Sequence, residues 1–129
     1  MVFEEVVVLS SPFAEAVEAV KAALAEQGFG TLTEVDVAAT LRAKIGKEMA
    51  PYVIVGACNP GLAGRALDIE PQIGVLLPCN VVVRETEHGV LVEAMDPGMM
   101  ATLVDRDELS PVADEARRLI GDALTSLAD

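Results

Sequence analysis

The sequence predicts one α+β domain, in which roughly three to four helices pack on a mixed sheet of about five to six strands. Short runs rich in Val alternate with stretches in which apolar residues recur every three to four positions, the spacings typical of strands and helices. Two late strand-like runs flank a turn sequence, which indicates an antiparallel hairpin. The length of 129 residues suits one domain with one core.

Signals for helix ends divide the first half of the chain. Ser11 can cap a first helix that has Pro12 in its first turn, and Gly28 ends that helix. Asp36 caps a second helix, which ends at Gly46. The predicted elements of this half are a strand at 3–9, a helix at 12–28, a strand at 30–35, a helix at 37–46 and a buried strand at 51–58.

The second half opens with another cap and proline. Asn59 and Pro60 begin a third helix, and the Glu70-Pro71 step breaks it. Residues 86–89 have the composition of a turn. The other predicted elements are a short strand or tight passage at 73–77, hairpin strands at 79–85 and 90–94, one helical turn at 99–104 and a last helix that begins at Ser110.

The charge and apolar patterns exclude several classes of partner. The net charge is −12 and only nine residues are basic, so the chain lacks the basic patch that nucleic acid or an anionic membrane requires. No uncharged apolar run reaches the length of a membrane span, and residues 1–5 are acidic where a secretory signal is basic. We therefore expect a cytoplasmic protein whose two cysteines are thiols.

Cys58 and Cys79 are the residues best suited to chemistry. Cys58 ends a predicted strand one residue before a helix N-terminus, a position that favours a thiolate and that many nucleophilic cysteines occupy. If the two strands that carry the cysteines are neighbours, both thiols could meet and form a redox couple or a two-thiolate soft-metal site. Each cysteine taken alone is more often a small buried apolar residue.

Polar residues beside the cysteines complete the candidate site. Capping explains Asn59, whereas Asn80 begins a strand, where Asn is disfavoured, so Asn80 either bonds a loop or orients a ligand. Glu70 and Arg84 are isolated charges nearby, and such charges at a sheet rim are more often structural than catalytic. The candidate binding residues are Cys58, Asn59, Glu70, Cys79, Asn80 and Arg84.

Other familiar site patterns do not occur in the sequence. His88 is the one histidine and lies in the predicted turn, which argues against a Ser-His-Asp triad. No set of Cys and His has zinc spacing, and no glycine-rich phosphate loop is present. Met95, Met99 and Met100 are better explained as core filling than as a metal cluster. The sequence therefore names no cofactor and no definite metal site.

Several segments of the chain also have the pattern of a known family. They are residues 33–36, 40–41 and 44–46, then 56–60 with Ala63, Ala66 and Leu67, then 70–71, 73–74 and 76–85, and finally 95–97. They resemble the domain-of-unknown-function family numbered 302, small α+β proteins of bacteria and archaea. The resemblance implies a homodimer and no particular activity. The family often has a larger, polar side chain at the position of Gly64, which implies a more open site here.

Three functions stay open at this point. The first is a non-catalytic binding domain that holds a small ligand, an anion or a soft metal beside the two Cys-Asn segments. The second is a thiol-dependent enzyme or redox protein that uses Cys58, with Cys79. The third is a structural homodimer in which the cysteines have no chemical role.

Overall fold

Strands and helices alternate through the first half of the chain, and a hairpin and two helices follow, in a computed structural model that describes residues 6–128. The elements are β1 (Val7–Leu9), α1 (Phe13–Glu26), β2 (Gly30–Asp36), α2 (Val37–Ile45), β3 (Tyr52–Cys58), α3 (Pro60–Ile69), β4 (Cys79–Thr86), β5 (Gly89–Ala94), α4 (Met99–Val104) and α5 (Ser110–Leu127). Short 3-10 helices lie at Pro71–Leu76 and Asp107–Leu109. The α+β class is confirmed, with more helices than expected. Residues 3–5 of the predicted first strand lie outside the described residues.

The sheet of residues 6–128 has five strands in the order β1-β5-β4-β3-β2. All four pairings are antiparallel, whereas the sequence predicts a mixed sheet. The reason is that α2 and α3 each return the chain beside the strand it has just left, while α1 carries it from one edge of the sheet to the other. These connections create no parallel neighbours, and they place β3 directly beside β4.

One face of the sheet is covered by α1 and α5, which also pack against each other. Successive strand residues point to opposite faces, so every second side chain enters this core. Val55, Val83 and Val92 are fully buried at its centre. The predicted apolar stripe of α1 is confirmed for its buried residues Val17, Val20 and Leu24, whereas Phe13 is only partly buried.

Two of the three predicted helix caps are present. Asp36 and Asn59 each accept a hydrogen bond from a backbone N–H in the first turn of the helix that follows. The cap predicted at Ser11 is wrong, because α1 begins one residue later than expected. Pro12 then occupies the cap position, and no side chain bonds the first turn. Ser11 is left two residues ahead of Phe13, the first residue of the helix.

The opposite face of the sheet, which we call the open face, is only partly covered. Val8 on this face is 52% exposed, and Tyr52, Ile54 and Val82 are half-buried. β3 is therefore buried on one side only, and not on both as its apolar sequence predicts. None of the helices within residues 6–128 is long and apolar enough to cross a bilayer.

The segments β2 and α2 together form an exposed arm. Every residue of β2 is exposed, no residue of α2 is buried, and β2 lies at an edge of the sheet. Three large apolar side chains of the arm face solvent: Leu32 is 66% exposed, Val35 44% and Ile45 70%. The arm therefore contributes little to the core.

Candidate functional site

The two cysteine segments meet at one end of two adjacent strands. Cys58 is the last residue of β3, and Cys79 is the first residue of β4. Because these strands are antiparallel, Ala57 pairs directly with Cys79. Both cysteines are free thiols, and both contribute to the wall of one cavity. The fold thus supplies the neighbouring strands on which a shared thiol site depends.

The cavity beside the cysteines, which we call the dithiol cavity, is small and mostly apolar. Its volume is about 30 Å³, room for roughly one or two water molecules. Pockets for organic ligands usually occupy several hundred Å³. Apart from the cysteines, Asn59 is the one polar residue among the described residues of its wall. Its apolar lining includes Phe29, Leu62, Leu77, Met100, Val112 and Ala116.

Burial controls the chemistry of Cys79. Cys79 is only 6% exposed, and this burial, followed by the electrostatic effect of Cys58, raises the pKa of its thiol from 9.0 to about 11. A thiol with this pKa stays protonated at neutral pH and is a poor nucleophile. Cys58 is half-buried, so it is the more accessible of the two.

Asn59 joins the start of α3 to the end of α1. Its Oδ1 accepts a hydrogen bond from the N–H of Leu62 at 3.2 Å, and its Nδ2 donates one to the carbonyl of Gln27 at 3.4 Å. Gly28, at φ +84°, lies against this amide, because a Cβ there would stand 2.9 Å from Nδ2. Capping therefore explains Asn59, as the sequence predicts.

Asn80 and Arg84 lie on the open face and not at the dithiol cavity. They line a shallow cleft with Tyr52 and Glu93, and Arg84 Nε donates a hydrogen bond to Glu93 Oε1 at 2.7 Å. The register explains the separation. Cys79 is buried on the core side, whereas Asn80, the next residue of β4, is exposed and lines the cleft on the open face. The structure therefore separates Asn80 and Arg84 from the two cysteines.

Glu70 occupies a third place. Its Oε2 accepts a hydrogen bond from the N–H of Gln72 at 3.2 Å, which caps the first 3-10 helix, and its Oε1 accepts one from Arg106 Nη1 at 3.3 Å. Glu70 is not in the wall of the dithiol cavity. Its contacts tie the segment after α3 to the segment after α4, a link across 36 positions that no local pattern could reveal.

Gly56 supports the site in a way that the sequence analysis missed. It is buried in β3 between Thr33 and Pro78; a Cβ there would overlap Thr33 Oγ1 and come within 2.8 Å of Pro78 Cγ. Pro78 follows a cis peptide bond and immediately precedes Cys79. Close packing at Gly56 thus positions the strand ends that carry the cysteines. A glycine inside an apolar strand was the available signal.

The remaining sequence candidates add no histidine to the thiol pair. His88 lies in the turn between β4 and β5, and its side chain is 84% exposed. Met100 is buried in the core, as predicted, and lines the dithiol cavity. Across residues 6–128, no three or more His, Cys, Asp or Glu side chains are grouped to hold a metal ion. Any metal at the cavity would therefore depend on the two cysteines.

These features define a class of protein: a small α+β domain with an antiparallel sheet, helices on one face, and two thiols at the ends of adjacent strands. The chain belongs to the family described as domain of unknown function DUF302, whose model matches residues 5–127. It is similar to an uncharacterized conserved DUF302 protein from Bacillus stearothermophilus, whose crystal structure has a TM-score of 0.87. The two are 27% identical over 95% of this chain and 96% of that one. No curated protein matches the chain.

Proposed function

We propose that this domain is a binding protein, and that its ligand is a single soft monovalent metal ion, such as Cu(I), held by Cys58 and Cys79. The observation that carries the proposal is that both thiols line one small cavity. Thiolates are the ligands that Cu(I) prefers, whereas Zn(II) is usually held by four ligands. The described residues place no histidine or carboxylate group beside the pair that could complete a zinc site.

The size of the cavity favours an ion over the other ligands that the sequence allows. A volume of about 30 Å³ cannot admit an organic molecule without opening. An anion would have to enter an apolar wall on a chain of net charge −12. At the N-terminus of α3, moreover, Asn59 already occupies the N–H of Leu62, and Pro60 has none.

The charge of the bound group is also compatible with this place in the fold. Two thiolates and one monovalent ion leave a single negative charge. Cys58 directly precedes Asn59, the cap of α3, so that charge would lie at the positive end of the helix dipole. Cys79 must release its proton when the ion binds. The metal–sulfur bonds offset the free energy that this deprotonation requires.

Anaerobic titration with Cu(I), followed by native mass spectrometry, tests the proposal. We expect the wild-type chain to retain one ion, and Cys58→Ser and Cys79→Ser each to lose it. Met100→Leu is the matched control, because it removes another sulfur from the cavity wall while keeping its volume. Cys79→Ala provides a second variant with an apolar side chain at the buried position, and circular dichroism checks that every variant is folded.

Two results would contradict the metal proposal. One is Cu(I) retained by folded variants that lack either cysteine. The other is Zn(II) retained as strongly as Cu(I) by the wild-type protein, since that would require ligands beyond the thiol pair.

We also propose that the chain forms a homodimer, because its arm is too exposed to be stabilised by one copy alone. A nine-residue helix with no buried side chain is marginal in water. The free edge of β2 offers unpaired backbone groups to another strand. A second copy would cover Leu32, Val35 and Ile45, the apolar side chains that the arm exposes.

The arm as a whole carries no net charge, but α2 and the two residues after it are basic, which favours a second copy as the partner. Residues 37–47 contain three of the nine basic residues of the chain and none of its 21 acidic ones. The rest of the molecule, including Glu34 and Asp36 of β2, is strongly acidic, so one copy offers this basic segment of another a surface of opposite charge.

A further inference from the structure

The cleft on the open face contains polar residues that the dithiol cavity does not use. It is lined by Tyr52, Asn80, Val82, Arg84, Glu93 and Met95, among others, and its volume is about 590 Å³, within the range of small-molecule sites. We propose that this cleft binds a small monocarboxylate with an apolar body. The carboxylate would bind at Arg84, and the apolar part would lie along Val82 towards Met95.

Arg84 has hydrogen-bonding capacity to spare. A guanidinium group has five N–H donors, and a single carboxylate engages at most two of them in a bidentate pair. Among residues 6–128, Glu93 alone accepts hydrogen bonds from Arg84, through Nε at 2.7 Å. Glu93 thereby fixes the orientation of the guanidinium and leaves donors for a ligand. The Arg84 side chain is 38% exposed, so a ligand can reach it.

Tyr52 adds a second donor at the same end of the cleft. It pairs with Arg84 across β3 and β4, and both side chains line the cleft. Within the described part of the chain, the Tyr52 hydroxyl makes no hydrogen bond. A carboxylate on the Arg84 guanidinium could therefore accept a further hydrogen bond from this hydroxyl.

The charge balance selects a monoanion. Arg84 and Glu93 together are neutral, so a dianion such as phosphate would leave the cleft with two uncompensated negative charges, whereas a monoanion would leave one. The net charge of −12 on the chain increases the penalty for each added negative charge. A carboxylate carries one charge and matches the planar fork of arginine.

The spacing along β4 selects an elongated ligand with an apolar middle. One face of β4 carries the alternate residues Asn80, Val82 and Arg84. At the usual rise of an extended strand, the Cα atoms of Asn80 and Arg84 lie about 14 Å apart. Val82 between them and Met95 beside Asn80 are apolar. The side-chain amide of Asn80 has no hydrogen-bond partner within residues 6–128, so it is available to a polar group at the far end of a ligand.

Titration of the ¹⁵N-labelled protein with octanoate, followed by NMR, tests this site. We expect saturable shifts at Tyr52, Val82 and Arg84, and about tenfold weaker binding or less for the neutral analogue octanamide. Arg84→Gln should weaken octanoate binding by about tenfold or more. Arg65→Gln is the matched control, because Arg65 is also a half-exposed arginine paired with a glutamate, Glu115, but lies outside the cleft. Its octanoate affinity should be unchanged.

Glu93→Gln separates a ligand site from a merely structural ion pair. Removal of this carboxylate leaves Arg84 with an unbalanced positive charge, so octyl phosphate should bind this variant several-fold more tightly than it binds the wild-type protein. The proposal would be overturned by equal binding of octanoate and octanamide, or by unchanged octyl phosphate binding in Glu93→Gln. It would also be overturned if millimolar octanoate caused no shifts, or shifts only outside the cleft. The Cu(I) titration of the dithiol cavity is independent of all these outcomes.

Discussion

Cys79 is the residue whose chemistry depends most on the fold. Burial raises the pKa of its thiol from 9.0 to about 11, so the folded state holds this proton more tightly than the unfolded chain does. The contribution of the protonated Cys79 thiol to the stability of the fold is complete below pH 9, the pKa in the unfolded chain. It is lost as the pH rises through 11, the pKa in the folded protein. Folding is thus linked to the protonation of the Cys79 thiol, which also lines the dithiol cavity.

This linkage predicts a loss of stability in alkali. Between pH 9 and pH 11, the free energy of unfolding should fall by roughly 2 kcal/mol more in the wild-type protein than in Cys79→Ala. Urea unfolding of both proteins, measured by circular dichroism at each half unit of pH, gives this difference. Parallel pH profiles for the two proteins would show that Cys79 keeps an ordinary pKa in the folded state.

Among the elements, β3 packs tightly at Gly56 against β2 and against the residue before β4. Thr33 from β2 and Pro78, the residue directly before β4, leave no room there for a Cβ. Gly56→Ala should therefore destabilise the protein by about 1–3 kcal/mol. Gly64→Ala is the control, because a Cβ at this helical position meets no atom within 4 Å, and it should stabilise the protein by about 0.5–1 kcal/mol.

Thermal and urea unfolding of the two alanine variants measure this contrast. If Gly56→Ala were as stable as the wild-type protein, the strand ends that carry the cysteines would not depend on this packing. A loss of stability in Gly64→Ala would contradict the open space that the structure shows around position 64.

Most elements could be predicted because their signals are local. Asp36 and Asn59 lie directly before their helices, and the turn at 86–89 lies between its two strands. Strand pairing is not local, so the sequence could not show that every pair would be antiparallel. The error at Ser11 has a different cause: the helix begins one residue later than predicted, which moves the cap position onto Pro12.

At the scale of the whole molecule, the candidate site was predicted only in part. The sequence suggested that the strands of Cys58 and Cys79 could be neighbours but did not determine it. In the structure, β3 and β4 are paired. Sequence proximity grouped Asn80 and Arg84 with the cysteines, but the alternation of β4 places them on the open face. Glu70 is engaged by Arg106, a partner distant in sequence.

The exposed arm predicts a concentration-dependent homodimer. Ile45→Ser should weaken self-association, because it removes a large apolar side chain from the proposed interface. Added salt should weaken it further by screening the basic residues of segment 37–47. Val75→Ser is the control, since Val75 is 86% exposed but lies outside the arm. Sedimentation equilibrium measures all three proteins. A wild-type monomer, or equal dimer affinities for Ile45→Ser and Val75→Ser, would contradict an interface at the arm.

The central claim is that Cys58 and Cys79 together hold one soft metal ion, and the nature of the metal's ligands tests it most directly. X-ray absorption spectroscopy of the anaerobic, Cu(I)-loaded protein identifies the atoms bound to the metal. We predict two sulfur ligands, with neither nitrogen nor oxygen in the coordination shell, and loss of this signal in Cys79→Ala. A spectrum that requires nitrogen or oxygen ligands, or one that is the same in Cys79→Ala, would contradict the claim.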